Sequence, residues 1–507
     1  MQQRDISLCT KSSQAIMASK SKQPPHFLLI PLMAQGHLIP MADLAKLLAE
    51  NGARVTLITT PQNTSRVNSL LSHPNQSQIQ VLHLQFPPHQ QSGVPQGCEN
   101  CDSLPSLSLL PKFLSATSLL CRATEDLFQQ LSPRPSCVVS DTALPWTIKV
   151  AHKFNVPRLV FYSFSSLHLL SMANLRAAGV IDKIMSASES EVIVMPNLPD
   201  KVEVTKPQLI FTLDAEFMEL ANEMNKADQA SYGIILNSFD ALEPNYLEEF
   251  KKATGSDKVW CVGPVSLCNR DTTDKAVRGN KAAIDEHECL KWLDRQQPGS
   301  VIYAALGSLC NIVTAQIIEL GLALEASNRP FIWVIRQTEA TKNQLEKWLS
   351  ESGFEERTKE RGLVVRGWAP QLLILSHPAA GAFVTHCGWN STIEGITAGV
   401  PMVAWPLFGD QIFNERLIVQ LLKVGVSVGV EKSVVWGGEE EIGVQVKMEG
   451  IRDAIEKVMD GDGNKEMRRR VRDLAERAKA AMEGGGSSHL NLKRLMEDIT
   501  QAEAREA

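Results

Sequence analysis

The chain has 507 residues, a formal net charge of -6 and 44% hydrophobic residues. That length suits two or three domains, and mild acidity without a basic patch excludes a nucleic-acid partner. The ten cysteines are scattered. Only Cys98 and Cys101 form a Cys-x-x-Cys pair, and no second pair or nearby His completes a zinc site.

Residues 1–22 are basic and Ser-rich, lack the apolar core of a signal peptide, and are expected to be a disordered extension; Met17 offers a second start. Residues 27–30 read as a strand, 33–37 as a glycine-containing loop, and 41–50 as a helix stopped by Asn51-Gly52. Strands follow at 55–59, at 137–139 leading into Ser140-Asp141, and at 158–162. This alternation predicts a parallel, doubly wound α/β sheet. Strands at 234–237 and 259–262 close a first domain, 23–262, and Gly263-Pro264 opens a polar linker over 263–290. A second domain, 291–483, repeats the pattern with strands at 301–305, 331–334, 363–365, 382–384 and 402–404 and a helix at 315–327. A charged helical tail, 448–483, breaks at three glycines before a last helix within 484–507. Residues 301–318 lack charge, but Gly307-Ser308, Asn311 and Gln316 interrupt them, so no membrane span is expected.

Residues 368–411 carry the chemistry. The run 382–384 ends at Thr385-His386-Cys387-Gly388, and Asn390-Ser391 opens an amphipathic run stopped by Gly399. Strand, turn and helix start make a seat for a diphosphate, because a helix N-terminus presents unpaired N–H groups and partial positive charge. That dipole contributes about 0.3–1 kcal/mol when exposed and up to ~2 when partly buried, so His386, Asn390 and Ser391 are expected as added donors. Asn390 and Ser391 also read as ordinary helix caps. Glu394, one turn on, suits a ribose diol or is a solvated first-turn Glu. Trp368, held before Ala369-Pro370, is a core residue or a base platform. Asp410-Gln411 offers acceptors and donors to sugar hydroxyls.

This box resembles the donor signature of plant family-1 UDP-dependent glycosyltransferases. The resemblance runs over about residues 23–500 and implies a GT-B fold, two facing doubly wound domains with a cleft between them. It implies that Trp368 stacks on uracil with the Ala369 backbone pairing, that Gln371 and Glu394 face the ribose, and that His386, Asn390 and Ser391 hold the diphosphate. Trp389, Asp410 and Gln411 meet the sugar, and Gln411 resembles the glucose-using members. Ser308, just after a strand, joins the donor set. His37, in Gln35-Gly36-His37, and Asp141 match the catalytic His and its relay Asp; read alone, they are a helix-capping His and a turn-capping Asp. Together they suggest general-base catalysis of an inverting transfer.

The resemblance implies UDP-glucose as donor substrate, no metal, and a small lipophilic acceptor, a triterpenoid, steroid or flavonoid aglycone, with cytokinins and phenolics as alternatives. Met33, Pro145, Trp146, Phe161 and Phe164 are candidate pocket residues, though each taken singly reads better as core. Asp460-Gly461-Asp462 fits a metal motif formally but lies between charged helices. A monomer is expected. A cytoplasmic location is also expected, since a glycan at the Asn390-Ser391-Thr392 sequon would block the donor seat. The rivals are another UDP-sugar, a non-catalytic nucleotide-sugar binder, which would lack the base, and a nicotinamide or flavin enzyme. The last is disfavoured because no Gly-x-Gly-x-x-Gly follows the first strand.

Overall fold

The computed structural model describes residues 24–71, 78–176, 179–209, 215–309, 312–336, 339–435 and 437–506; the N-terminal extension lies outside these. Two parallel sheets dominate. The first holds seven strands in the spatial order Ile79–His83, Arg54–Thr59, His26–Ile30, Cys137–Asp141, Arg158–Tyr162, Gly233–Leu236 and Val259–Cys261. The second holds six, in the order Gly362–Arg366, Phe331–Ile335, Val301–Ala305, Ala380–Thr385, Met402–Ala404 and Gly425–Ser427. The central strands are buried on both faces, which is why they read as continuous apolar runs rather than alternating ones. A separate antiparallel hairpin pairs Val192–Val194 with Glu203–Thr205.

In each sheet the strand order reverses once near the middle. In the first it reverses between His26–Ile30 and Cys137–Asp141, where Ile30 lies opposite Ser140. In the second it reverses between Val301–Ala305 and Ala380–Thr385, where Ala305 lies opposite Thr385. Loops leaving neighbouring strands diverge there and open a crevice at the strand carboxyl ends.

One buried cluster runs through both halves, joining Leu167, Leu236 and Phe239 to Phe383, Trp389 and Ile396. The stretch 263–290 is folded onto the domains, with helices at Thr272–Val277 and Glu286–Leu293 at its end. The last helix, Ser487–Glu506, buries Leu492, Leu495 and Ile499 in the core of the first sheet. Asp460 pairs with Arg329 in the bend between Met448–Met459 and Asn464–Met482. Among the described residues, no helix is long and apolar enough to cross a membrane.

Candidate active site

Each reversal point contributes half of the site. On the first sheet, His37 stands in the opening turn of the Gln35–Glu50 helix. The helix therefore starts six residues before the expected 41 and takes in what read as a loop, with Pro40 inside it. Proline has no N–H to offer the carbonyl four residues back. That carbonyl, Gly36 O, accepts instead from Asn390 Nδ2 at 2.6 Å, across the cleft from the second domain.

Asp141 ends the neighbouring strand and is 2% exposed. Its Oδ2 accepts from His37 Nδ1 at 2.7 Å, and its Oδ1 accepts from the Ala143 N–H at 2.9 Å. The carboxylate is thus held on both oxygens, and the bond to Nδ1 leaves Nε2 with its lone pair. Burial alone would lower the imidazole pKa. The charge and hydrogen bond of Asp141, with the charge of Asp410, outweigh it and raise His37 above its usual 6.5. The side chain keeps 28% exposure and lines the cleft.

On the second sheet, His386 follows its strand, Cys387 takes a left-handed backbone (φ 63°), and Gly388 caps the Trp389–Ala398 helix. A non-glycine residue in that region is strained; here it turns the chain so that the helix N-terminus points into the cleft. The His386 ring lies between two glycines. A Cβ on Gly307 would come within 2.5 Å of Nε2, and one on Gly388 within 2.4 Å. Burial lowers the His386 pKa to about 4, so it is a neutral donor rather than a cation, and its Nδ1 is enclosed without a partner.

The helix cap is Gly388, with no side-chain cap bond, so the capping readings of Asn390 and Ser391 fail. Asn390 spans the cleft. Besides its bond to Gly36, its Oδ1 accepts from Ser163 Oγ at 2.7 Å. Ser391 Oγ accepts from Gln371 Nε2 at 3.2 Å, and the same nitrogen donates to Glu394 Oε2 at 2.7 Å. Glu394 is 1% exposed, so it is not a solvated surface carboxylate. Its other oxygen pairs with Arg278. The Trp389 indole is buried, and its Nε1 donates to Asn237 O of the first domain at 2.7 Å. Its side chain therefore locks the domains together, leaving its backbone at the cleft.

Trp368 is half-buried, donates to Arg278 O at 3.3 Å, and meets Gly279 on its ring. Gln411 Oε1 accepts from the N–H groups of Leu407 and Phe408 at 2.8 and 3.1 Å, which leaves its amide N–H to a ligand. Asp410 is pushed up to about 6 by burial, against its bond from Asn414 and the nearby His37.

All of these line one cleft of about 430 Å³ between the sheets: His37, Ser308, Trp368, Ala369, Gln371, His386, Trp389, Asn390, Ser391, Glu394, Asp410 and Gln411. Asp141 stands behind His37. Of the acceptor candidates only Phe164 lines it. Met33 and Trp146 line a separate, much smaller pocket, and Phe161 is core. Sequence reasoning missed Arg278, whose linker position carries no chemical signature, and Gly307, whose place after a strand was the available signal.

Cys98 and Cys101 are buried thiols, both raised by burial, and their loop serves a structural purpose. It carries Asp102, paired with Arg66 at 3.0 Å, whose backbone carbonyl accepts from Arg336 of the second domain at 3.1 Å. Among the described residues, no group of three His, Cys, Asp or Glu side chains could hold a metal.

Two family models match the chain. "Glycosyltransferase, N-terminal domain" covers residues 26–267, and "UDP-glucoronosyl and UDP-glucosyl transferase" covers 276–467. UDP-glycosyltransferase 73C3 of Arabidopsis thaliana is 51% identical over 482 residues, 94% of this chain and 96% of the relative. The crystal structure of Glycyrrhiza uralensis UGT73P12 complexed with glycyrrhetinic acid 3-O-monoglucuronide superposes with a TM-score of 0.86 at 36% identity, over 95% of this chain and 97% of that one. That of Arabidopsis thaliana UGT89C1 complexed with UDP-L-rhamnose gives 0.72 at 29% identity, over 94% and 99%.

Proposed function

We propose, from the premise that this chain belongs to the plant UDP-glycosyltransferases and is a GT-B enzyme transferring a sugar from a UDP-sugar donor, that the sugar is glucose and the acceptor a hydroxyl of a small lipophilic metabolite. The aglycone is of the triterpenoid, steroid or flavonoid type, and the product a β-O-glucoside. The observation that carries this reading is the placement of His37 and the Trp389–Ala398 helix N-terminus on facing walls of one cleft, linked through Gly36 and Asn390.

His37 Nε2 takes the acceptor proton as the oxygen attacks the anomeric carbon. Asp141 holds the tautomer and stabilises the imidazolium that forms. UDP leaves from the opposite face, so an α-linked donor gives a β-glycoside. Positioned base catalysis contributes roughly 10²–10⁴-fold, about 3–5 kcal/mol of barrier. Orientation and the donors around the diphosphate supply the rest. The N–H groups at the helix start receive the diphosphate, with His386 as a neutral donor, and no metal is needed. Trp368 stacks on uracil, Gln371 and Glu394 take the ribose, and Asp410 and Gln411 take the sugar hydroxyls. Support for glucose comes from the Gln411 amide, already oriented toward the cleft. Support for a lipophilic aglycone comes from the ligand of the Glycyrrhiza neighbour and from Phe164 and Leu309 in the cleft lining. A second reading, a different UDP-sugar, is favoured by the UDP-L-rhamnose complex of the other neighbour. The enzyme is taken to act as a cytoplasmic monomer.

The test is incubation with UDP-glucose, UDP-galactose, UDP-xylose and UDP-rhamnose against a panel of aglycones, with chelator present. The expected result is a β-glucoside formed fastest from UDP-glucose and undiminished by chelator. Faster turnover of another sugar overturns the donor assignment, and loss of activity with chelator overturns the metal-free mechanism.

A further inference from the structure

We propose that Arg278 is a positioning residue that sets Glu394 for the donor's ribose and ties it to the helix bearing His37. The proposal rests on the reading of Glu394 as the ribose-facing carboxylate. Arg278 follows the Thr272–Val277 helix in the segment joining the domains and is 9% exposed. Its Nε donates to Asp43 Oδ2 at 2.8 Å and its Nη1 to Glu394 Oε1 at 2.5 Å. Asp43 is fully buried on the Gln35–Glu50 helix, less than two turns beyond His37. Glu394 belongs to the Trp389–Ala398 helix, whose N-terminus forms the diphosphate seat. One guanidinium from the linker therefore joins the two helices that carry the two halves of the reaction centre.

The arrangement orients as well as attracts. Glu394 Oε1 is fixed by Arg278 and Oε2 by Gln371, which sets the plane of the carboxylate and leaves its remaining lone pairs for hydroxyl donors. A rigid guanidinium fork can serve two carboxylates at once where a flexible ammonium cannot. The backbone of the same residue meets the base platform: Arg278 O accepts from Trp368 Nε1. Gly279 (φ 111°) lies so close to the indole that a Cβ there would fall 2.1 Å from its Cζ2. Main chain on the base platform and side chain on the ribose carboxylate place Arg278 behind the whole nucleoside.

A buried interdomain ion pair with no role in recognition would explain the same bonds, and ribose discrimination separates the two. Binding of UDP and of 2′,3′-dideoxy-UDP is measured by calorimetry for the natural enzyme and for Arg278→Met. Because that change strands two buried carboxylates, Asp43→Asn/Arg278→Met, which keeps the net charge of the cluster, is measured beside it. Thermal unfolding reports whether each variant is folded. The natural enzyme is expected to prefer UDP by about tenfold or more, the worth of hydroxyl bonds to a charged acceptor. The folded variant is expected to bind the two within about twofold, both more weakly than the natural enzyme. If the variant weakens both nucleotides equally and keeps the preference, Arg278 is only a structural clasp and the proposal is overturned. If the natural enzyme itself shows no preference, the ribose reading of Glu394 fails first.

Discussion

His37→Ala is expected to lower kcat by roughly 10²–10⁴-fold while UDP binding, read by calorimetry, stays unchanged. The imidazole reaches the donor domain only through the cleft. The bond that joins its turn to that domain, Asn390 Nδ2 to Gly36 O, uses backbone on the His37 side and survives the substitution. Removing the ring takes the partner from Asp141 Oδ2, but the His37 side chain is 28% exposed to the cleft, so water can reach that oxygen, and Oδ1 keeps its bond from Ala143 N. The variant should therefore fold and bind, and fail only at the chemical step. Retained turnover would discard His37 as the base, and lost UDP binding would place it in the donor seat instead.

Asp141→Asn is the second large effect. An Asn amide nitrogen next to Nδ1 donates where the carboxylate accepted. It drives the imidazole proton to Nε2 and removes the base from the face where the acceptor arrives, at a cost of roughly 10²–10⁴-fold in kcat. The pH profile gives an independent reading. Burial lowers the His37 pKa, but the charge and bond of Asp141, then the charge of Asp410, raise it above 6.5. A base must be neutral, so kcat/KM of the natural enzyme should fall as pH drops through this raised value. Without the Asp141 charge the depressing effect of burial gains weight, and the acid limb of the residual activity should move to lower pH. Asp410 titrates near 6 beside His37, so the limb belongs to the pair rather than to one group. A limb unmoved by Asp141→Asn would assign it to Asp410 and remove Asp141 as the partner of the base.

Much of this geometry was legible in the sequence because of where the chemistry sits. His37, Asp141, Ser308 and His386 each follow an apolar run, and in a doubly wound sheet the carboxyl ends of strands face the crevice. The strands carrying them are buried on both faces, so their runs are unbroken and easily read. The strand Ile79–His83 escaped because it lies at the sheet edge, where its residues are half-exposed and lose that signature. Gly425–Ser427 escaped because it too is an edge strand, only three residues long and with two of them half-buried.

Other features were misread for physical reasons. Residues 33–37 read as a loop and the helix start was placed at 41, yet the helix begins at Gln35, and the carbonyl that Pro40 leaves unpaired is taken by Asn390 from the other domain, which no local pattern reveals. Phe161 and Trp146, read as core before pocket, do pack into the core, Phe161 in the buried run of its strand and Trp146 just before the Thr147–Lys153 helix. Arg278 was invisible because its partners, Asp43 and Glu394, lie 235 and 116 residues away.

The central claim is that a base from one domain and a diphosphate seat from the other act on the same anomeric carbon. A crystal structure with UDP and a glucoside product bound tests it most directly. The account predicts the diphosphate against the N–H groups of Trp389, Asn390 and Ser391, and His37 Nε2 within hydrogen-bond distance of the glycosidic oxygen. A diphosphate bound away from that helix, or a glycosidic oxygen beyond the reach of His37, would contradict it.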